Sequence, residues 1–198
     1  NLKNIGKILG SNICTEISML STKNNISKNS YTEKNKFGYD VNCVLSSLNL
    51  VELFDYKSDT ERRNIIKTSI KFLSNVSDLI NIESVPSVKK ANDELHSVGL
   101  GVMNLQGLFV KNGIDYESEE AKDLTNAIFN YIRYYSLYAS MEIAKERGKF
   151  VGFEKSDYVS GKALEKYCNG TVDLEIKTDK VKELLYNMNI LIPTVDEW

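Results

Sequence analysis

Three side chains able to take part in chemistry stand two residues apart near the start of the chain. They are Asn12, Cys14 and Glu16, within "GSNICTEISM". In an extended chain, residues two apart point to the same side, with successive side chains about 7 Å apart. The sulfur could then act as a nucleophile or radical carrier, and the carboxylate could remove a proton. The same pattern also fits a small buried cysteine with polar neighbours, which behaves as a hydrophobe.

A second cysteine strengthens the first interpretation. Cys43 lies in "DVNCVLSSLNL", another apolar stretch that could run beside the first. A thiol near Cys14 would supply reducing equivalents through disulfide chemistry. The alternative is a pair of buried cysteines with no chemical role. The chain has three cysteines, and an odd number suits a reducing cytosol better than a disulfide scaffold.

The remaining candidate motifs favour structural roles. Gly99, Gly101 and Gly107 in "GLGVMNLQG" do not follow the spacing G-x-G-x-x-G, so close helix packing is favoured over a nucleotide-phosphate loop. The single His96 lacks a second ligand at metal-binding spacing and is predicted to be a hydrogen-bonded structural histidine. The tyrosines of "FNYIRYYSLYAS" recur at helical spacing, which favours packing. No metal site is predicted.

Composition places the chain among ordinary globular domains. Of 198 residues, 42% are hydrophobic and 26% charged, with a net charge of -2. Weak acidity gives no electrostatic case for nucleic acid or an anionic membrane as a partner. No apolar run approaches the roughly 20 residues needed to cross a bilayer. We therefore expect a soluble, cytoplasmic protein.

Periodicity predicts a chain in which helices dominate, with a few strands near its start. The two cysteine-containing stretches, the second running on through "NLVEL", are predicted to be extended, with a polar surface loop between them. A helix is predicted to begin at Ser58, where Glu61 completes a capping box, and Pro86 ends or restarts a helix. "SVGLGVMNLQGLFVKNG" predicts a buried helix closing at Gly113, and Ser118 is expected to cap the longest helix. Two further short helices are predicted over "SGKALEKYC" and "TDKVKELLYNMN".

Both cysteine stretches, in this order, resemble the large (alpha) subunit of aerobic ribonucleotide reductase, most closely its class Ib form. "SNICTEI" matches the family pattern S-N-[LI]-C-x-E-I, and "DVNCVLSSLN" matches D-I-x-C-N-L-G-S-L-N. The likeness continues in collinear order through "SVPSVKKANDELHSVGLGVMNLQGLF", "ASMEIAKERGKFVGFEKSDYVSGK" and "ILIPTVDEW". It implies that residues 1–198 are an incomplete central segment of the catalytic domain. That domain is a ten-stranded α/β barrel with its catalytic cysteine on a finger loop.

The resemblance also implies residue roles. Cys14 is similar to the thiyl-radical cysteine that abstracts the 3′ hydrogen of a ribonucleotide. Glu16 would take the 3′-hydroxyl proton, and Asn12 would hydrogen-bond the ribose. The substrate-contacting residues would be Asn12, Ile13, Cys14, Thr15 and Glu16.

Cys43 is similar to one of the two thiols that reduce the substrate and end as a disulfide. This chain departs from the family next to that thiol, with Val44 and Ser46 where Asn and Gly are usual. We expect that the loss of the family's glycine at position 46 allows the local backbone to shift. Cys168 matches no catalytic position in the family and is predicted to be structural.

The implied activity is that of a ribonucleoside-diphosphate reductase, which makes 2′-deoxyribonucleotides for DNA synthesis. The implied partners are a beta subunit with a dimetal (Mn or Fe) tyrosyl radical and a glutaredoxin- or thioredoxin-like reductant. The chain itself is expected to bind no cofactor, since the family's allosteric nucleotide sites and second redox thiol lie on other segments. We expect it to be a split-gene segment, a processed product or a cut piece, inactive until assembled with complementary alpha-subunit fragments. The alternative is a non-catalytic scaffold or regulatory remnant of the family.

Overall fold

The computed structural model describes residues 7–11, 19–23, 37–55, 57–169, 172 and 174–198. Most of these residues are helical. The helices are α1 (Leu50–Asp55), α2 (Asp59–Leu79), α3 (Pro86–Leu95), α4 (Leu105–Lys111), α5 (Glu119–Arg147), α6 (Glu165–Cys168) and α7 (Asp179–Asn187). The strands are β1 (Val44–Asn49) and β2 (Val98–Met103), and short 3₁₀ turns cover Phe153–Lys155 and Val195–Glu197.

β1 and β2 form a two-stranded sheet. Gly99 lies beside Cys43 and Leu45, and Gly101 lies beside Ser47. Residue numbers therefore increase in the same direction along both strands, so the pair is parallel. Parallel strands need a crossover connection, which α1, α2 and α3 supply here. This βαβ arrangement confirms the α/β class that the sequence predicted.

The prediction of one buried helix from Ser97 to Gly113 is wrong. The first part of that stretch is β2, and the helical part is reduced to α4, which ends at Lys111 just before Gly113. Leu100 and Val102 pack against the hydrophobic core, while Gly101 and Met103 are exposed. This is the two-residue alternation of a half-buried strand. Glycines at alternate positions disfavour a helix and allow close approach of β1.

The second extended stretch also ends earlier than predicted. β1 stops at Asn49, and "LVELFD" forms the helix α1. Leu50, Leu53 and Phe54 are all buried, at the spacing that places side chains on one helix face. The spacing of the inward-facing apolar residues therefore changes at Leu50, from every second residue along β1 to about every three and a half residues along α1.

Both predicted helix caps are confirmed. The backbone N–H of Glu61 donates to Ser58 Oγ at 3.3 Å, and Glu61 Oε2 accepts from the backbone N–H of Ser58 at 2.9 Å. The Ser58 hydroxyl also donates to Glu61 Oε2 at 2.7 Å, and this bond, together with the one from the Ser58 N–H, lowers the pKa of the Glu61 carboxyl. At the start of α5, the backbone N–H of Ala121 donates to Ser118 Oγ at 3.1 Å. Each cap satisfies a donor that the first helical turn leaves without a partner.

Contacts divide the chain into two compact units. The first comprises Asn1–Leu45, Phe72–Gly99 and Arg147–Ala163, and the second comprises Ser46–Lys71, Leu100–Glu146 and Leu164–Trp198. The second unit holds the main hydrophobic core, in which one face of α5 is central. The α5 residues in that core are Ala121, Leu124, Ala127, Ile128, Tyr131 and Ile132.

A buried arginine joins distant parts of the second unit. The Arg62 side chain is 1% exposed, and its two terminal nitrogens donate to the carbonyl oxygens of Lys57 and Asn189, each at 2.6 Å. The nearby Tyr131 hydroxyl donates to Asp59 Oδ1 at 2.7 Å. The two carbonyl oxygens satisfy the terminal nitrogens, and Asp59 Oδ1, 3.6 Å from Nη2, supplies the opposite charge for a cation that would be costly to bury alone.

The first unit is held partly by a polar pair. Ser77 Oγ donates to Asn92 Oδ1, and Asn92 Nδ2 donates to the Ser77 carbonyl oxygen, both at 2.9 Å. Both residues are buried, so this reciprocal pair fixes the C-terminal part of α2 against α3. Across the described residues, no helix is long and apolar enough to cross a membrane.

The α2 capping box predicts a measurable loss of stability when it is broken. Ser58→Ala removes the side-chain acceptor for a first-turn N–H and should lower the free energy of unfolding by about 1 kcal/mol. Urea unfolding followed by circular dichroism measures the change. Thr68→Ala, an exposed position within α2, is the control and should change stability by less than about 0.5 kcal/mol. Equal losses in the two variants would contradict the capping role.

Candidate active site

The predicted catalytic strip lies outside the described residues. This holds for Asn12, Cys14 and Glu16, and also for Ile13 and Thr15. The roles of these residues stay predictions. Cys43 is described, and the geometry of the candidate site is built from it.

Cys43 stands directly before β1, with its side chain on the same side of the chain as Leu45. Its sulfur and the Leu45 side chain both lie against Gly99, and the Ser47 hydroxyl lies against Gly101. Leu45 is 54% exposed and Met103 is 52% exposed, so this face of the sheet is open. The thiol therefore lies at one end of an uncovered face that it shares with alternate residues of both strands.

The thiol is held in its protonated form. Cys43 is half-buried, and burial raises its pKa above that of an ordinary cysteine. Desolvation penalises the thiolate more than the neutral thiol. The thiol donates a long hydrogen bond to the Val44 carbonyl oxygen, at 3.7 Å. A protonated thiol suits a group that delivers hydrogen and electrons rather than a nucleophile.

The two departures from the family pattern lie on the other side of the strand. Val44 and Ser46 alternate with Cys43 and share their face with Leu48, which is buried in the core. Both have strand geometry, and β1 is continuous through them. The missing glycine therefore does not break the strand that follows the thiol.

The segment before Cys43 pairs with the segment that follows the predicted strip. Ser21 and Asp40 form an antiparallel bridge, and the Thr22 N–H donates to the Tyr39 carbonyl oxygen at 3.0 Å. The Tyr39 N–H donates to Thr22 Oγ1 at 2.7 Å. Gly38 allows this pairing, because a Cβ there would lie 2.1 Å from the Thr22 carbonyl oxygen.

Helix α3 anchors the same segment. Ser87 Oγ donates to Asp40 Oδ2 at 2.6 Å, and Lys90 Nζ donates to the Phe37 carbonyl oxygen at 2.9 Å. Phe37 is 5% exposed, so its ring adds apolar burial to these polar contacts. Three residues before the thiol, the backbone is therefore fixed to a helix.

A tyrosine–glutamate pair completes the anchor. The Tyr39 hydroxyl donates to Glu94 Oε2, and the Lys90 ammonium lies 4.7 Å from the centre of the Tyr39 ring. Burial, together with the hydrogen bond to the Glu94 carboxylate and its charge, raises the pKa of Tyr39 to about 12. The phenol therefore stays protonated at neutral pH and acts here as a donor.

Two of the other candidate motifs have the predicted structural roles. His96 Nε2 lies 3.0 Å from Ser74 Oγ, so the histidine is hydrogen-bonded at the end of α3. The Tyr131 and Tyr135 rings pack against each other within α5 at a tilt of 56°, with ring centres 4.6 Å apart. Cys168 is exposed at the end of α6, and its lack of a catalytic role stays a prediction.

A separate groove of about 430 Å³ lies in the second unit, between α2, α5 and residues 191–197. Its charged side chains are largely paired within the protein. Lys67 Nζ lies 2.8 Å from Glu142 Oε2, and the Arg63 guanidinium pairs with Asp59 and lies over the Tyr135 ring. The groove therefore presents little uncompensated charge to a ligand, and Cys43 does not line it.

Comparison with known proteins identifies the family. The sequence model described as "Ribonucleotide reductase, barrel domain" matches residues 1–195. The chain belongs to the ribonucleotide reductase barrel-domain family. It is 37% identical over 195 residues to "Ribonucleoside-diphosphate reductase subunit alpha" of Bacillus subtilis (strain 168). The aligned region covers 98% of this chain and 27% of that relative.

Other alpha subunits of this family give similar values. The relative from Mycoplasma pneumoniae is 37% identical over 193 residues, which is 97% of this chain and 26% of that protein. The "Ribonucleoside-diphosphate reductase nrdEB subunit alpha" of Bacillus phage SPbeta is 38% identical over 169 residues, which is 85% of this chain and 15% of that protein. The chain thus spans about a quarter or less of the length of these reductase subunits.

The sequence pattern does not predict two features of this segment. The first is the pairing of the segments before Cys43 and after the predicted strip, which Gly38 makes possible. The second is the place of Gly99, for which the sequence favours helix packing but which lies directly against the thiol. The alternation of Val98, Leu100 and Val102 between glycines was the available signal, because it has the period of a strand.

The raised pKa of Cys43 predicts slow reaction with electrophiles. Alkylation of each cysteine by iodoacetamide is followed against pH by peptide mass spectrometry, with the exposed Cys168 as a reference in the same chain. Cys43 should react more slowly than Cys168 at pH 7. Its rate should reach half-maximum above pH 8.5, the ordinary value for a thiol. A midpoint below that value would contradict the assigned environment.

Proposed function

We propose that this chain is a catalytic-core segment of a class Ib ribonucleoside-diphosphate reductase, which reduces ribonucleotides to 2′-deoxyribonucleotides by thiyl-radical chemistry. The observation that carries the proposal is the placement of Cys43. In a chain of the ribonucleotide reductase barrel family, this thiol is protonated, half-buried and on the open face of a parallel strand pair. Such a thiol is suited to giving up hydrogen and electrons to a substrate held over that face.

In this proposal the radical and acid–base roles belong to the first cysteine motif, residues 12–16. Cys14 carries the thiyl radical that takes the 3′ hydrogen, Glu16 accepts the 3′-hydroxyl proton, and Asn12 hydrogen-bonds the ribose. The Ser21–Asp40 bridge supports this assignment. Ser21 follows Cys14 by seven positions and Asp40 precedes Cys43 by three, so the chain length permits both sulfurs to reach one substrate.

The proposed reaction balances through two thiols. Cys43 and a second cysteine each give up one hydrogen atom and form a disulfide. The two hydrogens and their electrons reduce the ribonucleotide, so that hydrogen replaces the 2′-hydroxyl and one water leaves. A glutaredoxin- or thioredoxin-like dithiol then reduces the disulfide by exchange. The 3′ hydrogen returns from Cys14 to the sugar, which regenerates the thiyl radical.

The segment's partners follow from its length. The chain covers 27% of the first relative, so complementary parts of an alpha subunit supply the second redox thiol, the phosphate contacts and the allosteric nucleotide sites. In this proposal β1 and β2 are two strands of the ten-stranded barrel, and Cys14 lies on its finger loop. A beta subunit with a dimetal (Mn or Fe) tyrosyl radical supplies the radical. In the isolated segment, Leu45 and Met103 are exposed, as expected for strands that other segments cover.

The proposal predicts that activity depends on assembly and on Cys14. The chain is combined with the complementary alpha-subunit segments and the radical-loaded beta subunit, and deoxyribonucleoside diphosphate is quantified. The assembled wild type should turn over, and the chain alone should not. Cys14→Ser should reduce the rate by at least about 10³-fold, because a hydroxyl replaces the radical-carrying sulfur.

Cys168→Ser is the matched control, since it removes an exposed thiol from the same chain. It should retain wild-type activity. Full activity in Cys14→Ser would exclude the radical role. An assembled but inactive wild-type complex would favour a non-catalytic member of the family.

A further inference from the structure

The face that carries the Cys43 thiol has two positions without a side chain. β1 presents Cys43, Leu45 and Ser47 on this face, and β2 presents Gly99 and Gly101. Adjacent strands lie about 4.8 Å apart, so a side chain on either glycine would meet the neighbouring strand's side chains on the same face.

The two glycines differ in what a side chain would meet. A Cβ on Gly99 would lie 2.5 Å from Leu45 Cδ2 and 3.0 Å from Cys43 Sγ. A Cβ on Gly101 would lie 3.4 Å from Ser47 Oγ and 3.5 Å from the Ser46 carbonyl oxygen, which is ordinary van der Waals contact. The constraint on residue type is therefore specific to position 99.

Of the two contacts that a Cβ on Gly99 would make, the one with the Cys43 sulfur is harder to relieve than the one with Leu45. Leu45 is 54% exposed, so its side chain can rotate into open space at little cost. Cys43 is half-buried and has a single rotatable side-chain bond. A methyl group at position 99 would therefore require the sulfur to move by a few tenths of an ångström.

We propose that Gly99 is a positioning residue for the redox chemistry of Cys43, leaving clear the side of the sulfur from which the second cysteine approaches. This inference rests on the proposed function, which supplies the second thiol and the substrate as oxidant. Disulfide formation requires the two sulfurs to come within about 2.05 Å and the two Cβ atoms to within about 3.8 Å. A Cβ already 3.0 Å from the Cys43 sulfur would occupy that space.

The chemical step is the one given above, with no further reactant. The hydrogens of the two thiols pass to the ribonucleotide, a sulfur–sulfur bond forms, and the 2′-hydroxyl leaves as water. Gly99 touches neither substrate nor reacting hydrogen in this account. It acts through the orientation and accessibility of the Cys43 sulfur.

The test compares Gly99→Ala with Gly101→Ala, the same change on the same strand and face. In the assembled reductase, single-turnover reduction without external reductant should slow by about tenfold in Gly99→Ala, less than the roughly 100-fold that a misplacement of about 1 Å can cost. The KM for substrate should stay within twofold of wild type. Gly101→Ala should stay within twofold in both quantities.

A double variant separates the sulfur contact from the leucine contact. Gly99→Ala/Leu45→Ala removes the clash with Leu45 and retains the one with Cys43. The single-turnover rate should remain as low as in Gly99→Ala. Recovery to within twofold of Leu45→Ala would overturn the proposal, and so would equal losses in Gly99→Ala and Gly101→Ala.

A second readout does not depend on enzymatic activity. In the chain alone, Gly99→Ala should measurably slow iodoacetamide alkylation of Cys43 at pH 7, because the added methyl group lies against the sulfur and restricts access of the reagent. Cys168 should react as in the wild type. If the assembled wild-type reductase is inactive, the proposed function fails. The difference in Cys43 alkylation between the wild-type chain and Gly99→Ala still tests the inference about Gly99. Unchanged alkylation of Cys43 would overturn it.

Discussion

The arrangement of the candidate site depends on the close parallel pairing of β1 and β2. Without a side chain at Gly99, the backbone of β2 can lie against Leu45 and the sulfur of Cys43. The opposite face of the same pair, with Leu48, Leu100 and Val102, packs on the hydrophobic core. Among the described residues, Leu45 on the side of the strand that carries the thiol is exposed, whereas Leu48 is buried. Because side chains alternate along a strand, the register that buries Leu48 also sets the face on which Cys43 lies.

A second constraint acts just before the thiol. The residues from Phe37 to Asp40 are hydrogen-bonded both to α3 and to the segment that follows the predicted catalytic strip. The backbone on both sides of Cys43 is therefore fixed, by helix contacts before it and by β2 after it. Substituting Val44 and Ser46 for the family's Asn and Gly leaves this arrangement in place, since both alternate onto the other face of β1. Local order around the thiol comes from long-range contacts rather than from its immediate neighbours.

The parts of the fold that the sequence predicted are those with local signals. Ser58 and Glu61 form the predicted capping box, and the apolar spacing from Ala121 to Ile132 places one face of α5 in the core. The predictions failed where contacts with distant segments of the chain determine the secondary structure. The stretch after His96 is apolar with alternate glycines, and its helix or strand state depends on β1, which lies about fifty residues earlier. The pairing of Thr22 with Tyr39 likewise has no local signature beyond Gly38. The site residues of the first motif rest on family resemblance and remain predictions.

The central claim is that Cys43 is a redox thiol of a ribonucleotide reductase assembled from this chain and its complementary segments. It is tested most directly by a single turnover without external reductant, followed by mass spectrometry of the cysteine peptides. The account predicts one disulfide between Cys43 and a cysteine of a complementary segment for each deoxyribonucleotide formed, and none without substrate. Formation of deoxyribonucleotide while Cys43 remains a free thiol would contradict it.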